Sequence, residues 1–538
     1  MKVPRITRGT SRNSMTEVFH ITITLKQGER TIVFSCEEPI LLSSVFKTIG
    51  ISHKEPCGGN GRCGKCLVYA SGDLSPLAVQ EQILLTEEDK RNGLRLACLA
   101  KVIGNVVVRL PEEKKEHILM QGTMHSFERL PWGKSFGIAV DIGTTTIVTY
   151  LLQLETGTCF AQCSELNPQN LFGADVISRM AHAIAGEGKE LHHLVINCIN
   201  TLIQTLCRGA AIEIDAITCA VITGNTTMLF LLCEEPVNSL AVFPFIPNRY
   251  FGEMLTPAQL GLFLSPDTKI YLPRCISAYV GADITTGIIA SGLFEAQKAT
   301  LLVDIGTNGE MVLQVNQKML CCATAAGPAF EGAGIKMGSS AVPGAIHAVT
   351  LLDGKLICST IGKLTPSSIC GSGIVDALAA LLEMGVVTEG GRIEEEKAEA
   401  ADILSLSDGE LALRIDGEVI LTQKDIRAIQ LAKAAICAGM YTLIHHSDIT
   451  EDELDTIFLA GGFGTYMNIA SAAAIGLIPP LLAPKAKLIG NSAGIGAAML
   501  LQSSKLLFQS ELTARQAETI ELSTDAFFMN KYIDCMLF

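Results

Sequence analysis

Cys57-Gly-Gly-Asn-Gly-Arg-Cys63-Gly-Lys-Cys66 places three thiols in one glycine-rich loop, and Cys98 follows about thirty residues further on. Four thiolates, three from a loop and one from a neighbouring segment, are what a [2Fe–2S] cluster needs. Gly58, Gly59, Gly61 and Gly64 lack Cβ atoms, so the loop can turn its N–H groups inward toward sulfide. Structural zinc is the first competing reading, but zinc ribbons pair their cysteines as two C-x2-C knuckles rather than three plus one. A redox dithiol at Cys63 and Cys66 leaves Cys57 and Cys98 without a role. Cys219, Cys370 and the Cys321-Cys322 pair lie in apolar contexts and read as small core residues.

A second chemistry is written twice. Phe136-Gly-Ile-Ala-Val-Asp-Ile-Gly-Thr-Thr-Thr-Ile-Val-Thr-Tyr150 is echoed by Thr300-Leu-Leu-Val-Asp-Ile-Gly-Thr-Asn-Gly-Glu-Met-Val-Leu-Gln314. Each copy is an apolar strand, an Asp-Ile-Gly-Thr turn and a returning strand. Such a tip offers backbone amides and hydroxyls to phosphate oxygens and a carboxylate to a hydrated Mg²⁺. One copy would pass for an ordinary hairpin closure; two copies predict two similar lobes that clamp one triphosphate from opposite sides. Two further glycine signals accompany them. Leu459-Ala-Gly-Gly-Phe-Gly464 follows an apolar strand and can pass its backbone close to a planar base, while Cys370-Gly-Ser-Gly373 precedes a helix whose free N–H groups suit an anion. For Ala326-Gly-Pro-Ala-Phe-Glu-Gly332 a plain turn and a functional loop remain equally open. There is no Walker A sequence and no dinucleotide fingerprint.

The elements that must position these groups change character along the chain. Residues 21–25 alternate apolar and polar as a half-buried strand, 31–34 return after the Gln27-Gly28-Glu29 turn, 41–49 form a short amphipathic helix and 106–110 close the region as a strand. Residues 111–135 open on the run Glu112, Glu113, Lys114, Lys115, Glu116, contain the only tryptophan, Trp132, and read as a linker. From Phe136 onward the pattern is α/β, with helical spacing at 191–208, 374–384 and 423–446. The expected organisation is a flexible tail at 1–16, a cluster domain at 17–110, a linker at 111–135 and a two-lobed domain at 136–538, with lobe I about 136–298 and lobe II about 299–538.

Composition excludes several classes. The 538 residues are 48% hydrophobic and 18% charged, so a large core is available and global disorder is excluded. Lys+Arg 41 against Asp+Glu 55 gives a net charge of −14, which argues against nucleic acid or an anionic membrane as partner. No apolar run approaches the ~18 residues of a membrane span; the best stretch, 469–483, is broken by Pro479 and Pro480. The first fourteen residues are basic and polar, with no apolar stretch of the kind a secretory signal carries, and Met15 offers an alternative start. Eighteen cysteines without a leader point to a reducing, cytoplasmic setting.

The cysteine loop resembles a [2Fe–2S] ferredoxin of the β-grasp fold, and its five-residue first gap looks like the adrenodoxin and putidaredoxin type. Asp141 to Thr146, Asp304 to Glu310 and Ala460 to Gly464 resemble the two phosphate motifs and the adenosine motif of the acetate and sugar kinase, Hsp70 and actin superfamily. Together the two modules resemble one family closely, the ATP-dependent reductive activators of corrinoid proteins. Asn167-Pro-Gln169, Phe172-Gly-Ala-Asp-Val-Ile-Ser-Arg-Met180, Gly224-Asn-Thr-Thr-Met228 and Gly281-Ala-Asp283 also look like that family, though no separate chemistry can be read from each.

The resemblance implies ATP-dependent one-electron reduction of a corrinoid protein from Co(II) to Co(I) through the cluster, in support of methyl transfer. It implies a corrinoid protein of a methyltransferase system as partner, an external low-potential electron donor, and a homodimer as an allowed assembly. Cys57, Cys63, Cys66 and Cys98 would hold the cluster. Asp141 and Asp304 would hold Mg²⁺ and position water, and Glu310 would be either a general base or a polar group that stabilises its lobe. Thr144, Thr145, Thr307 and Asn308 would contact phosphate at turns shaped by Gly143 and Gly306, with Gly371 and Gly373 presenting N–H groups and Gly461 and Gly462 lining the base. Only a short stretch joins the two modules, where some relatives carry an extra small domain. Three other functions compete. Activators of 2-hydroxyacyl-CoA dehydratases share the nucleotide fold but resemble users of a [4Fe–4S] cluster, which the C-x5-C-x2-C loop disfavours. An electron carrier with a nucleotide-sensing domain keeps both modules. A small-molecule kinase leaves the cluster idle.

Overall fold

The computed structural model describes residues 21–27, 30–36, 38–49, 66–85, 87–110, 125–397, 402–406, 409–462 and 467–538. The tail at 1–16, the turn at Gly28 and Glu29, Cys57, Cys63 and their loop glycines, linker positions 111–124 and Phe463 to Tyr466 lie outside these residues. The chain divides into two compact units, one within residues 1–116 and one within 117–538.

The smaller unit is a six-stranded sheet made of β1 (Ile21–Gln27), β2 (Arg30–Cys36), β3 (Ile40–Leu41), β4 (Leu67–Leu74), β5 (Leu94–Leu96) and β6 (Lys101–Arg109), in the order β2-β1-β6-β4-β5 with β3 against β6. β1 runs parallel to β6 and antiparallel to β2, the mixed pattern of a β-grasp. Helix Leu42–Ile49 packs Leu42, Val45 and Phe46 onto Ile23, Val102, Val106 and Val108. These are the apolar phases of the alternating strands, all removed from water.

The larger unit repeats one topology. Its first sheet contains β7 (Phe136–Ile142), β8 (Thr146–Gln153), β9 (Thr158–Leu166), β10 (Ile217–Gly224), β11 (Glu253–Leu255) and β12 (Lys269–Leu272), ordered β11-β12-β10-β7-β8-β9. The second half contributes β13 (Thr300–Ile305), β14 (Gly309–Val315) and β15 (Lys318–Thr324). Two three-stranded sheets follow: β16 (Ala345–Leu352), β17 (Lys355–Thr360) and β18 (Ser368–Ile369), then β19 (Ile403–Ser405), β20 (Leu411–Asp416) and β21 (Val419–Thr422). β22 (Thr456–Ala460), β23 (Ala486–Gly490) and β24 (Glu518–Thr519) complete the main sheet, ordered β23-β22-β13-β14-β15-β24. Both sheets therefore place an Asp-Ile-Gly-Thr hairpin beside a parallel strand, β7 with β10 and β13 with β22. The echo seen in sequence is an echo in space.

Helices fall where the apolar spacing placed them, at Gly188–Ala210, Gly371–Glu383 and Gln423–His446. The lobes are not cleanly sequential, however. Helix Ser492–Gln502, from the C-terminal part, packs Ile495, Met499 and Leu501 with Ala139, Leu152 and Val221 of the first sheet. It also meets helix Ala282–Ser291 so closely that a Cβ on Gly496 would stand 1.9 Å from the Thr286 carbonyl oxygen. Within the span read as linker, the described residues 125–135 belong to this unit: His125 N–H donates to the Ala290 carbonyl at 3.0 Å and the Trp132 indole to the Leu500 carbonyl at 2.8 Å. Among the described residues no helix is long and apolar enough to cross a membrane.

Candidate functional site

The two hairpin tips face each other across a cleft of about 360 Å³. Asp141, Gly143, Thr144 and Thr145 line one side, with Asp304, Gly306, Thr307, Asn308 and Glu310 opposite. Gly371, Gly461 and Gly462 complete the rim. Gly461 has φ +97°, and a Cβ there would lie 2.4 Å from the Ile305 carbonyl oxygen, so this position admits only glycine. Gly373 does not line the cleft. It is the third residue of helix Gly371–Glu383, and a Cβ on it would lie 2.3 Å from the Ile346 carbonyl oxygen, so close packing on β16, not an anion, requires glycine there.

The first tip is braced from beneath. Gly143 N–H donates to the Thr146 carbonyl at 3.0 Å, and Asn167 Nδ2 donates to the Gly143 carbonyl at 2.9 Å. Asn225 Nδ2 reaches Thr144 Oγ1 at 3.2 Å while its Oδ1 caps the helix Thr226–Leu232. Arg179 is completely buried and donates to the carbonyls of Thr144 (2.5 Å) and Gly173 (3.0 Å) and to Asn170 Oδ1 (2.5 Å). Burial pulls its pKa down to about 10, still high enough to keep it charged at neutral pH. These contacts supply the chemistry of the segments around Asn167, Arg179 and Asn225: they hold the shape of the turn.

Electrostatically the cleft gathers carboxyl groups whose charged forms burial and mutual repulsion disfavour. Burial pushes Asp141 up to about 6, moderated by Asn491, whose Nδ2 donates to Asp141 Oδ2 at 2.9 Å. Asp304 rises to about 7 through burial and repulsion from Asp141 and Glu331. Asp283 rises to about 8 through burial and the charges of Asp304 and Asp141. Glu310, directly opposite Asp304 in the β13–β14 register, is raised well above the ordinary carboxylate range by burial and by Asp283 and Asp304. No Lys or Arg is among the described residues lining the cleft. Burial and like-charge repulsion favour the neutral form of such carboxyls, and a nearby cation would favour the charged form. Among the described residues no three His, Cys, Asp or Glu side chains are close enough to cage a metal directly. A donor set of this kind suits Mg²⁺, which keeps several waters and is shared with phosphate.

Asp283, Asn225, Glu331 and Asn491 line the cleft, yet no site role was read for them from sequence. Asp283 and Asn225 lay inside segments noticed only by resemblance, and Glu331 inside the glycine-proline loop. Asn491 carried no signal: it follows β23, 350 positions beyond the aspartate it touches.

In the smaller unit, Cys66 and Cys98 are buried with their sulfurs 3.2 Å apart. Ala97 N–H donates to the Cys66 carbonyl at 2.8 Å, tying the two cysteine segments together. Glu81, fully buried, accepts from Arg95 Nε at 2.9 Å and Nη2 at 3.0 Å, and from Leu96 N–H at 2.9 Å. The Arg95 and Leu96 contacts pull its pKa down against the burial that opposes them. This ion pair fixes the strand that delivers Cys98. The donor set, two adjacent thiols on a segment that continues into a glycine-rich cysteine loop, fits an iron–sulfur cluster.

Residues 23–102 match the 2Fe-2S iron-sulfur cluster binding domain, residues 136–296 the RACo middle region, and residues 298–538 the C-terminal domain of RACo, described as the ASKHA domain. The corrinoid activation enzyme RamQ of Eubacterium limosum is 32% identical over 570 residues, covering 92% of this chain and 95% of its own. The chain belongs to the corrinoid activation enzymes. This family member is also 26% identical over 431 residues to the [Co(II) methylated amine-specific corrinoid protein] reductase of Methanosarcina barkeri, covering 74% of this chain and 76% of that one. A solved structure described as a reductive activator for corrinoid, iron-sulfur protein superposes with a TM-score of 0.71 at 28% identity, covering 96% of this chain and 98% of its own. The fold of the activator is thus a [2Fe–2S] ferredoxin domain joined to an acetate and sugar kinase, Hsp70 and actin-like domain.

Proposed function

We propose that this activator reduces the Co(II) form of a corrinoid protein to Co(I) by one electron, driven by ATP hydrolysed in the cleft between the two Asp-Ile-Gly-Thr tips. The observation that carries this reading is the cleft itself: two repeated tips with their hydroxyls, and cation-seeking carboxylates, in the same chain as a cluster-binding domain. The cluster, when bound, supplies single electrons at a potential set by its protein surroundings. Cys66 and Cys98, with Cys57 and Cys63 from the loop, are its four proposed ligands.

In the cleft, Asp141 and Asp304 would hold Mg²⁺, and Thr144, Thr145, Thr307 and Asn308 would donate to phosphate. Asp283, raised to about 8 by burial and the charges of Asp304 and Asp141, would take a proton from the attacking water, and Glu310 would serve either as a general base beside it or as a polar group that stabilises its lobe. Gly461 and Gly462 pass beside the base. Each ~59 mV uphill costs a one-electron transfer about 1.4 kcal/mol. A gap on the order of a few hundred millivolts therefore needs roughly 5 kcal/mol or more, which hydrolysis coupled to lobe closure can supply. An external low-potential donor reloads the cluster. A homodimer working in the cytoplasm is the assembly we propose.

The test is an ATPase assay on the reconstituted protein. Hydrolysis that requires Mg²⁺ and rises when Co(II) corrinoid protein is added is the expected result. Hydrolysis indifferent to the corrinoid protein's oxidation state would falsify the coupling.

A further inference from the structure

Among the described residues, Glu331 is the carboxylate in the cleft that bridges both tips. Thr145 Oγ1, from the first lobe, donates to Glu331 Oε2 at 2.6 Å, and Thr307 Oγ1, from the second, donates to the same oxygen at 2.9 Å. The residue sits on the short turn Pro328–Glu331, whose Phe330 is buried at 1% exposure in the core of the second lobe. Gly332 N–H to the Ala329 carbonyl (3.0 Å) and Ala333 N–H to the Pro328 carbonyl (3.1 Å) hold that turn. The backbone is therefore anchored, and only the side chain needs to move.

A threonine hydroxyl has one proton to donate. While Thr145 and Thr307 donate to Glu331, neither can donate to a phosphate oxygen, and the carboxylate repels any anion that approaches them. Phosphate and Glu331 thus compete for the same two donors. The Oε2 atom, accepting from both tips at once, occupies the kind of position a bridging phosphoryl oxygen would take.

We propose that Glu331 is a placeholder for nucleotide phosphate: it links the two lobes in the nucleotide-free cleft, is displaced when phosphate arrives, and so sets the affinity for phosphorylated ligands. This rests on the reading that the cleft binds ATP. Displacement breaks the one hydrogen bond that joins the Thr145 tip to the opposite lobe through this side chain, so nucleotide occupancy and lobe freedom are linked at a single atom. The carboxylate also acts on affinity through its charge, which removing the charge alone will expose.

The experiment is calorimetric titration of the full-length, cluster-loaded protein with Mg²⁺ and a non-hydrolysable ATP analogue, and separately with adenosine, for the wild type, Glu331→Gln and Glu331→Ala. The glutamine variant preserves size and one acceptor oxygen, so it answers even if the alanine variant fails to fold. The expected result is analogue binding tightened about tenfold in Glu331→Gln, equal to ~1.4 kcal/mol, with adenosine affinity unchanged. Analogue binding that is equal or weaker in Glu331→Gln overturns the placeholder and assigns Glu331 to the Mg²⁺ shell or the water. If the wild type binds no analogue at all, the ATP reading of the cleft fails first, and the placeholder with it.

Discussion

The two hairpin tips share a sequence and differ in how each is held. The first, around Asp141, is braced mechanically: Arg179 and Asn167 hold its carbonyls, Asn225 reaches a hydroxyl, and Asn491 donates to the aspartate. The second, around Asp304, has no donor to its carboxylate among the described residues, and it faces Glu310 across β13–β14 where the first tip has Val148 facing Asp141. Like charges directly opposite on a sheet destabilise it. The repeat therefore keeps the turn and divides the labour. One tip is a rigid platform, and the other is an electrostatic load that a proton or a bound cation relieves.

The largest effect that would sharpen this contrast is expected at the loaded tip. Asp304→Asn should lower ATP-dependent corrinoid reduction by about 10³-fold, the scale of losing a preorganised electrostatic group. The same change should stabilise the nucleotide-free protein at pH 8 by about 3 kcal/mol, because it removes a buried charge. Chemical denaturation with and without MgATP reads both signs, and destabilisation of the free protein would break the comparison.

Next is the braced tip. Arg179→Met should destabilise the larger unit by about 3 kcal/mol, since it strands the carbonyls of Thr144 and Gly173 without water. Nucleotide affinity should fall with it. A variant of unchanged melting temperature would show that the brace is dispensable.

A pH series is expected to give a smaller but diagnostic response. Asp141, Asp304 and Asp283 sit at about 6, 7 and 8 in the fold, whereas unfolded carboxylates titrate near ~4. Between those values the native state binds more protons than the unfolded one. The stability they contribute is thus complete below about pH 4 and is lost as pH rises through 6 to 8. Nucleotide-free protein should melt progressively lower from pH 6 to pH 8, and saturating Mg²⁺ with nucleotide should flatten the trend. The smallest effect is Asn491→Ala, which should move the Asp141 titration upward toward that of Asp304 by about one unit, readable by carboxyl NMR.

The legible and illegible parts of the molecule separate by sequence distance. The Asp-Ile-Gly-Thr echo announced both sheets, because a hairpin and its apolar strands are local, and amphipathic spacing announced the helix at Gln423–His446. The return of helix Ser492–Gln502 to the first sheet was not legible. It depends on Gly496 meeting Thr286, a contact no periodicity encodes. For the same reason Gly371 lines the cleft while Gly373 packs on β16: a glycine needed for close approach looks in sequence like one needed for an anion. Asn225, Asp283 and Arg179 sat in segments whose resemblance was visible and whose chemistry was not, because their partners come from other elements.

One measurement tests the central claim most directly. The activator, its cluster reduced and excess reductant removed, is mixed anaerobically with Co(II) corrinoid protein, and the cluster EPR signal and the Co(I) absorption band are followed through one turnover. The account predicts that both change together, one cluster electron for each Co(I) formed, only when ATP and Mg²⁺ are present. Co(I) appearing at the same rate and yield without nucleotide would contradict it.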